Sequence, residues 1–253
     1  MRAARVLLPV GLGLALLTAH ADAASQNTSP QGDSWASIAN LPDWRGVWDL
    51  DWSSFNGSSA TGEKPPRLTP EYARRLASYQ EAQKLGAPRQ APTANCVPPG
   101  MPAIMAQPFP IEFLFTPGKV TVVIEAYGQT RRIFTDGRPH PADPDPTYQG
   151  HSIGHWEGDT LVVDTIGILP ETQLAPGVGH SDRLRIEERI RRGANDVIEI
   201  RMKLHDPEAL QEPLELVRRY KHQPDWDIKE YVCAQNNRDG ADAEGRGFVD
   251  LKK

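Results

Sequence analysis

The chain has 253 residues, 28 Lys and Arg against 33 Asp and Glu, a formal net charge of −5 and only two cysteines. That mild acidity argues against nucleic acid as a partner, because the pairs Arg74-Arg75, Arg131-Arg132, Arg191-Arg192 and Arg218-Arg219 are scattered among acids and form no basic tract. Past the N-terminus no run is apolar enough to span a membrane, which excludes an integral helical protein once any leader is removed.

In chain order, Met1-Arg2-Ala3-Ala4-Arg5, the apolar run 6–17 and the small residues 19–24 read as a signal peptide over 1–23. The mature protein is therefore expected in the periplasm or outside the cell. Residues 24–40 form a small, polar lead-in, a single domain is expected over 41–237, and 238–253 is a flexible tail rich in Gly and Asp. In an oxidising compartment Cys96 and Cys233 are expected to pair. Closing so long a loop stabilises by on the order of 4 kcal/mol.

Residues 44–50 alternate large and polar side chains and predict a first strand, followed by a Gly/Ser/Pro-rich loop over 53–66. Thr69 as N-cap and Pro70 at the first helical position open a helix whose face of Tyr72, Leu76 and Tyr79 runs until Gly86. Over 87–110 repeated prolines forbid regular structure, so this segment is expected to wrap the surface as a strap anchored by Met101, Ile104 and Met105.

From 111 onward the hydrophobic period is two. Strands are expected at 111–115 and 120–125 around the turn Thr116-Pro117-Gly118-Lys119, then at 130–135. The pair 152–156 and 160–165 closes through Glu157-Gly158-Asp159, and further strands follow at 183–192, 197–204, 214–222 and 228–233. About nine hairpin-linked strands predict a mainly β chain: a single antiparallel up-and-down, lipocalin-like β-barrel or curled sheet with one short N-terminal helix. A barrel of that size has room for one small ligand.

Several motifs carry a resemblance. Met101-Pro102, Pro108-Phe109-Pro110-Ile111-Glu112-Phe113, Thr116-Pro117-Gly118, 131–138 (RRIFTDGR), 150–161 (GHSIGHWEGDTL) and His180-Ser181 resemble a widespread group of secreted bacterial proteins. That resemblance covers about Cys96 to Cys233 and implies a lipocalin-like barrel. It brings no catalytic residues with it.

Chemistry concentrates in 140–165, HPADPDPTYQGHSIGHWEGDTLVVDT. On a strand His151, Ile153 and His155 share one face, and Ser152, Gly154 and Trp156 the other. If His151 points into the barrel, Asp164 across the turn can orient an imidazole as a general base. His140 and His180 sit in loops and are expected at the same barrel mouth. The candidate catalytic residues are thus His151, His180, His140, Asp164 and Glu112, with Tyr127, Tyr148, Trp156 and Arg132 for substrate binding. They predict cofactor-independent proton transfer on a small apolar organic molecule by a lyase, isomerase, cyclase or hydratase.

Zinc held by His140, His151 and His180 is an alternative. The spacing His151-x-x-x-His155 suits a helix, whereas on a strand these residues stand about 13 Å apart. A non-catalytic lipocalin-like binding protein would show an apolar cavity with no histidine inside, and a structural module would show a filled barrel. Trp156 also reads as a core aromatic, and Glu157-Gly158-Asp159-Thr160 as a plain turn. Gly150-His151-Ser152-Ile153-Gly154 misses the serine-hydrolase elbow by one residue and leads into a strand, not a helix.

Overall fold

The computed structural model describes residues 34–55, 65–85 and 96–233. The expected signal peptide, most of the expected lead-in, most of the loop expected over 53–66 and the expected tail fall outside these residues. Among the described residues nine strands are present: β1 (Val47–Leu50), β2 (Ile111–Thr116), β3 (Lys119–Ile124), β4 (Gln129–Phe134), β5 (His151–Glu157), β6 (Thr160–Ile166), β7 (Arg185–Arg192), β8 (Val197–His205) and β9 (Leu214–Gln223). Each pairs with the next, and β9 returns to β1, closing a barrel. Among the described residues no helix is long and apolar enough to cross a membrane.

One seam departs from strict alternation. β4 and β5 run parallel, joined only at Ile133–Ser152 and Phe134–Ile153. Antiparallel neighbours can be joined by a short hairpin, whereas a parallel pair needs a longer return, and residues 135–150 supply it between β4 and β5. That return places His140 and Tyr148 against the outside of the barrel.

No strand forms over 228–233, where one was expected. β1 is bonded to β2 on one side and β9 on the other, so closure leaves no edge for a tenth strand. The segment is instead tied down by side chains: the Lys229 N–H donates to Glu125 at 2.8 Å, and Tyr231 packs edge-on against Phe109. It ends in the Cys96–Cys233 disulfide.

The one α-helix among the described residues, α1 (Pro70–Lys84), starts where the Thr69-Pro70 pair predicts. The Thr69 hydroxyl does not cap it, however, and donates to the Glu208 carbonyl at 2.7 Å, docking the helix start onto the chain between β8 and β9. Tyr72 is buried, Leu76 packs on the core and Tyr79 lies against Gly177, as the apolar face requires. In the strap, Met101, Ile104 and Met105 are buried, and the Tyr220 hydroxyl donates to the Met105 carbonyl at 2.8 Å.

Side chains occupy the barrel axis. Ile133, Leu161, Val163, Ile186, Ile200 and Leu204 alternate inward from successive strands, and Trp44, Phe113, Phe115 and Trp156 close one end with ring centroids 5.2–5.6 Å apart. At the seam the filling is polar. Arg131 on β4 meets both carboxylate oxygens of Glu188 on β7, and it donates to Ser152 on β5 at 3.2 Å and Thr165 on β6 at 2.8 Å. One guanidinium therefore ties four strands together across the parallel β4–β5 pairing.

Candidate functional site on the outer wall

The alternation expected for β5 holds, and the face carrying His151 and His155 is the outer one. Its partner face is committed inside, since Ser152 joins the Arg131 network and Trp156 plugs the barrel end. Gly154 also points inward, where a Cβ would meet the Val162 carbonyl at 2.9 Å and Ile133 at 3.0 Å.

On the outer wall the returning segment lays His140 over β5 and β6. His140 Nδ1 stands 2.8 Å from His151 Nδ1, and His140 Nε2 stands 3.2 Å from Asp164. Asp164 is in turn gripped through both oxygens by Arg185, at 2.8 and 2.9 Å. Phe134 stacks on the His151 ring at 5.4 Å, and the Arg138 guanidinium covers Phe134 at 4.1 Å.

Two facing Nδ1 atoms share one proton. Either ring can supply that proton; in the tautomer that puts the His140 hydrogen on Nε2, 3.2 Å from the Asp164 carboxylate though not aligned for a hydrogen bond, His140 Nδ1 accepts and His151 Nδ1–H donates. This leaves the lone pair of His151 Nε2 without a partner among the described residues. Burial, then the neighbouring His140 and the Arg138 charge, hold the His151 pKa below the ordinary imidazole value. That direction favours the neutral ring at pH 7.

His151 opens onto a hollow of about 310 Å³ whose wall includes Thr130, Arg132, Phe134, Tyr148 and Gln149. Gly150 makes this approach possible at φ +66°, because a Cβ there would strike the Ile166 carbonyl at 2.7 Å. Asp164, Arg138 and Arg185 also line a larger hollow of about 690 Å³ over the outer faces of β5 to β9. The chain Asp164–His140–His151 thus runs from one hollow to the other.

The sequence-derived candidates separate accordingly. His140, His151 and Asp164 converge, and Arg132 and Tyr148 share the hollow with His151. Glu112 faces outward on β2, with β3 and β4 between it and β5. Tyr127 packs on Tyr231 at 5.1 Å in the β3–β4 turn, and Trp156 belongs to the aromatic plug. Phe134, Arg185 and Gln149 are neighbours of the cluster that the sequence does not single out. An aromatic at an outward position of an alternating strand was the available signal for Phe134; Arg185 reaches Asp164 only through the β6–β7 register, which no local pattern reveals.

His180 does not join the cluster, contrary to the expected meeting at one mouth. It is 3% exposed, with Nδ1 donating to the Ser181 carbonyl at 2.7 Å and Nε2 2.7 Å from the Thr172 hydroxyl. Asp206 fixes the same turn by accepting from the Ser181 N–H at 2.6 Å and hydroxyl at 2.8 Å. Among the described residues no three His, Cys, Asp or Glu side chains gather to hold a metal ion, so the convergence of His140, His151 and His180 required for zinc is not formed.

Burial drives the His180 pKa below its unfolded value of 6.5. The unfolded chain then binds more protons than the folded one as pH falls through this window, so the stability contribution is full above pH 6.5 and is lost below it. The urea midpoint is expected to drop between pH 7 and pH 5, with a shallower drop in His180→Gln. Equal slopes for the two proteins would contradict this role. No family model matches the chain, and no curated protein matches it significantly.

Proposed function

We propose that the protein is a secreted enzyme in which His151 is the general base for proton transfer on a small organic molecule seated in the 310 Å³ hollow. The observation that carries this reading is the 2.8 Å contact between the two Nδ1 atoms, backed by Asp164 and leaving His151 Nε2 free. His151 Nε2 removes a proton from a carbon or oxygen acid of the substrate. The imidazolium so formed keeps its Nδ1–H on His140, whose Nε2–H faces the Asp164 carboxylate as counter-charge. Returning the proton to another atom gives an isomerase or cyclase; expelling or adding a group gives a lyase or hydratase. None of these needs an organic cofactor.

The hollow's wall is more polar than the apolar substrate expected from the sequence. A lipocalin-like carrier holding its ligand along the barrel axis has less support, because Arg131, Glu188 and the apolar side chains occupy that axis. The Cys96–Cys233 disulfide supports an oxidising compartment.

Incubation with a panel of small ketones and keto acids in D₂O tests the chemistry. Deuterium enters the carbon beside the carbonyl faster with the wild-type protein than with His151→Asn, and equal rates across the panel would sink the reading. Because the base must be neutral and its pKa is lowered, the acid limb of kcat/KM is expected below pH 6.5. An acid limb above that value would contradict the assignment of His151.

A further inference from the structure

We infer that the hollow beside His151 is a carboxylate-binding subsite, so that the molecule it takes is a compact organic acid. The inference deepens the proposed function and rests on it only for the role of His151. Its first support is charge. The chain carries 33 acids and a net charge of −5, yet no Asp or Glu lines this hollow, while Arg132 does. Elsewhere on the outer wall most arginines are neutralised, Arg138 by Asp136, Arg185 by Asp164, Arg189 by Glu157 and Arg201 by Glu199, although the exposed Arg191 on β7 also lacks an ion-pair partner among the described residues. Arg132 has no ion-pair partner among the described residues.

The second support is an unsatisfied amide. Gln149 is 8% exposed, forms part of the wall, and has neither its side-chain nitrogen nor its oxygen hydrogen-bonded among the described residues. A buried amide left unpaired marks a place where a missing partner belongs. An anion seated against Arg132 supplies the acceptor that the amide N–H lacks.

Geometry is the third. The parallel register pairs Ile133 with Ser152, so Arg132 and His151 lie one step back on adjacent strands and on the same outer face, about 5 Å apart at the backbone. A guanidinium fork binds a carboxylate through two parallel N–H bonds and so fixes its orientation as well as its position. An acid held in this way presents the carbons next to its carboxylate to His151 Nε2. Thr130 and Tyr148, from the same wall, add hydroxyl groups around it.

Titration of the full chain with acetate, butyrate and benzoate, read by NMR shifts of the His151 ring and the Arg132 guanidinium, tests the subsite. Benzyl alcohol and benzamide serve as uncharged controls. At least one of the acids is expected to saturate and to bind at least tenfold more tightly than the controls. Arg132→Met is expected to weaken that acid at least tenfold, with Arg132→Lys between, and Gln149→Leu to weaken it several-fold. Arg132 is exposed, so its variants should melt like the wild-type protein, and a thermal scan checks this. Equal binding of acid and alcohol, no binding of any acid, or unchanged affinity in Arg132→Met would each overturn the inference. His151→Asn separates the two readings: acid binding retained without deuterium exchange supports both, whereas acid binding retained with full exchange preserves the subsite and removes the catalytic role.

Discussion

Replacing His151 by Asn lowers kcat/KM by about 10²–10⁴-fold, the range typical of a lost general base, on whichever acid or ketone shows exchange with the wild-type protein. The fold should survive, because His151 projects from the outer wall and contributes nothing to the packing along the barrel axis. His140→Ala and Asp164→Asn act through His151 by loosening its tautomer and orientation, so their losses are smaller, about tenfold to a hundredfold. They should also move the acid limb of the pH profile, which a merely structural loss would leave in place. His155→Ala is the control: it sits on the same face of the same strand, but its ring partners Glu157 at the exposed turn. Full turnover in His151→Asn, or an equal loss in His155→Ala, would refute the assignment.

The largest stability effect is expected inside the barrel. Glu188→Ala leaves the Arg131 guanidinium buried and uncompensated, which costs about 3–5 kcal/mol in a urea unfolding experiment. Glu188 and Arg131 have side chains 0% and 1% exposed, so water cannot replace the lost carboxylate without opening the wall. The double variant Arg131→Met/Glu188→Leu should recover most of that loss, since removing both charges also removes both desolvation costs. Because Arg131 bonds to partners on β5, β6 and β7, the single variant should also raise amide hydrogen exchange at the two-rung β4–β5 seam before the rest of the barrel. A Glu188→Ala cost below about 1 kcal/mol would show that the pair carries no such weight.

The seam links this interior pair to the outer site. Ser152 reaches in to Arg131 while its neighbour His151 reaches out to His140, so a single register decides both. A slip of one residue along β5 would exchange the two faces, place an imidazole in the core and remove the hydroxyl from the buried guanidinium. The buried network therefore specifies the position of the catalytic candidate as well as stabilising the wall around it.

How much of this was legible can be followed residue by residue. Local chemistry announces Thr69-Pro70 as a helix start, Thr116-Pro117-Gly118-Lys119 and Glu157-Gly158-Asp159 as hairpin turns, and alternation as strands, and α1 and β2 to β9 lie on those segments. The count of two cysteines announced the bridge, which joins Cys96 to Cys233. Alternation also put His151 and His155 on one face. These features are decided within a few residues or by simple pairing, so one sequence suffices to read them.

Which face that was, which histidine joined His151 and where the hollow lies depended on contacts between distant segments. His140 meets His151 because residues 135–150 run back along the wall, and Asp164 joins through the β5–β6 register. His180, equally prominent in the sequence, is taken up by Thr172 and Ser181. The strand expected over 228–233 was lost because barrel closure had already used both sides of β1. Periodicity records that a strand has two faces, but burial of one of them is a property of the closed barrel. Local sequence thus suffices for the strands β2 to β9, the helix start, the disulfide and the neighbourhood of the candidate site, while the tertiary fold places that candidate on the outer wall and Arg131 and Glu188 inside, because only closure sets which side of each strand is withdrawn from water.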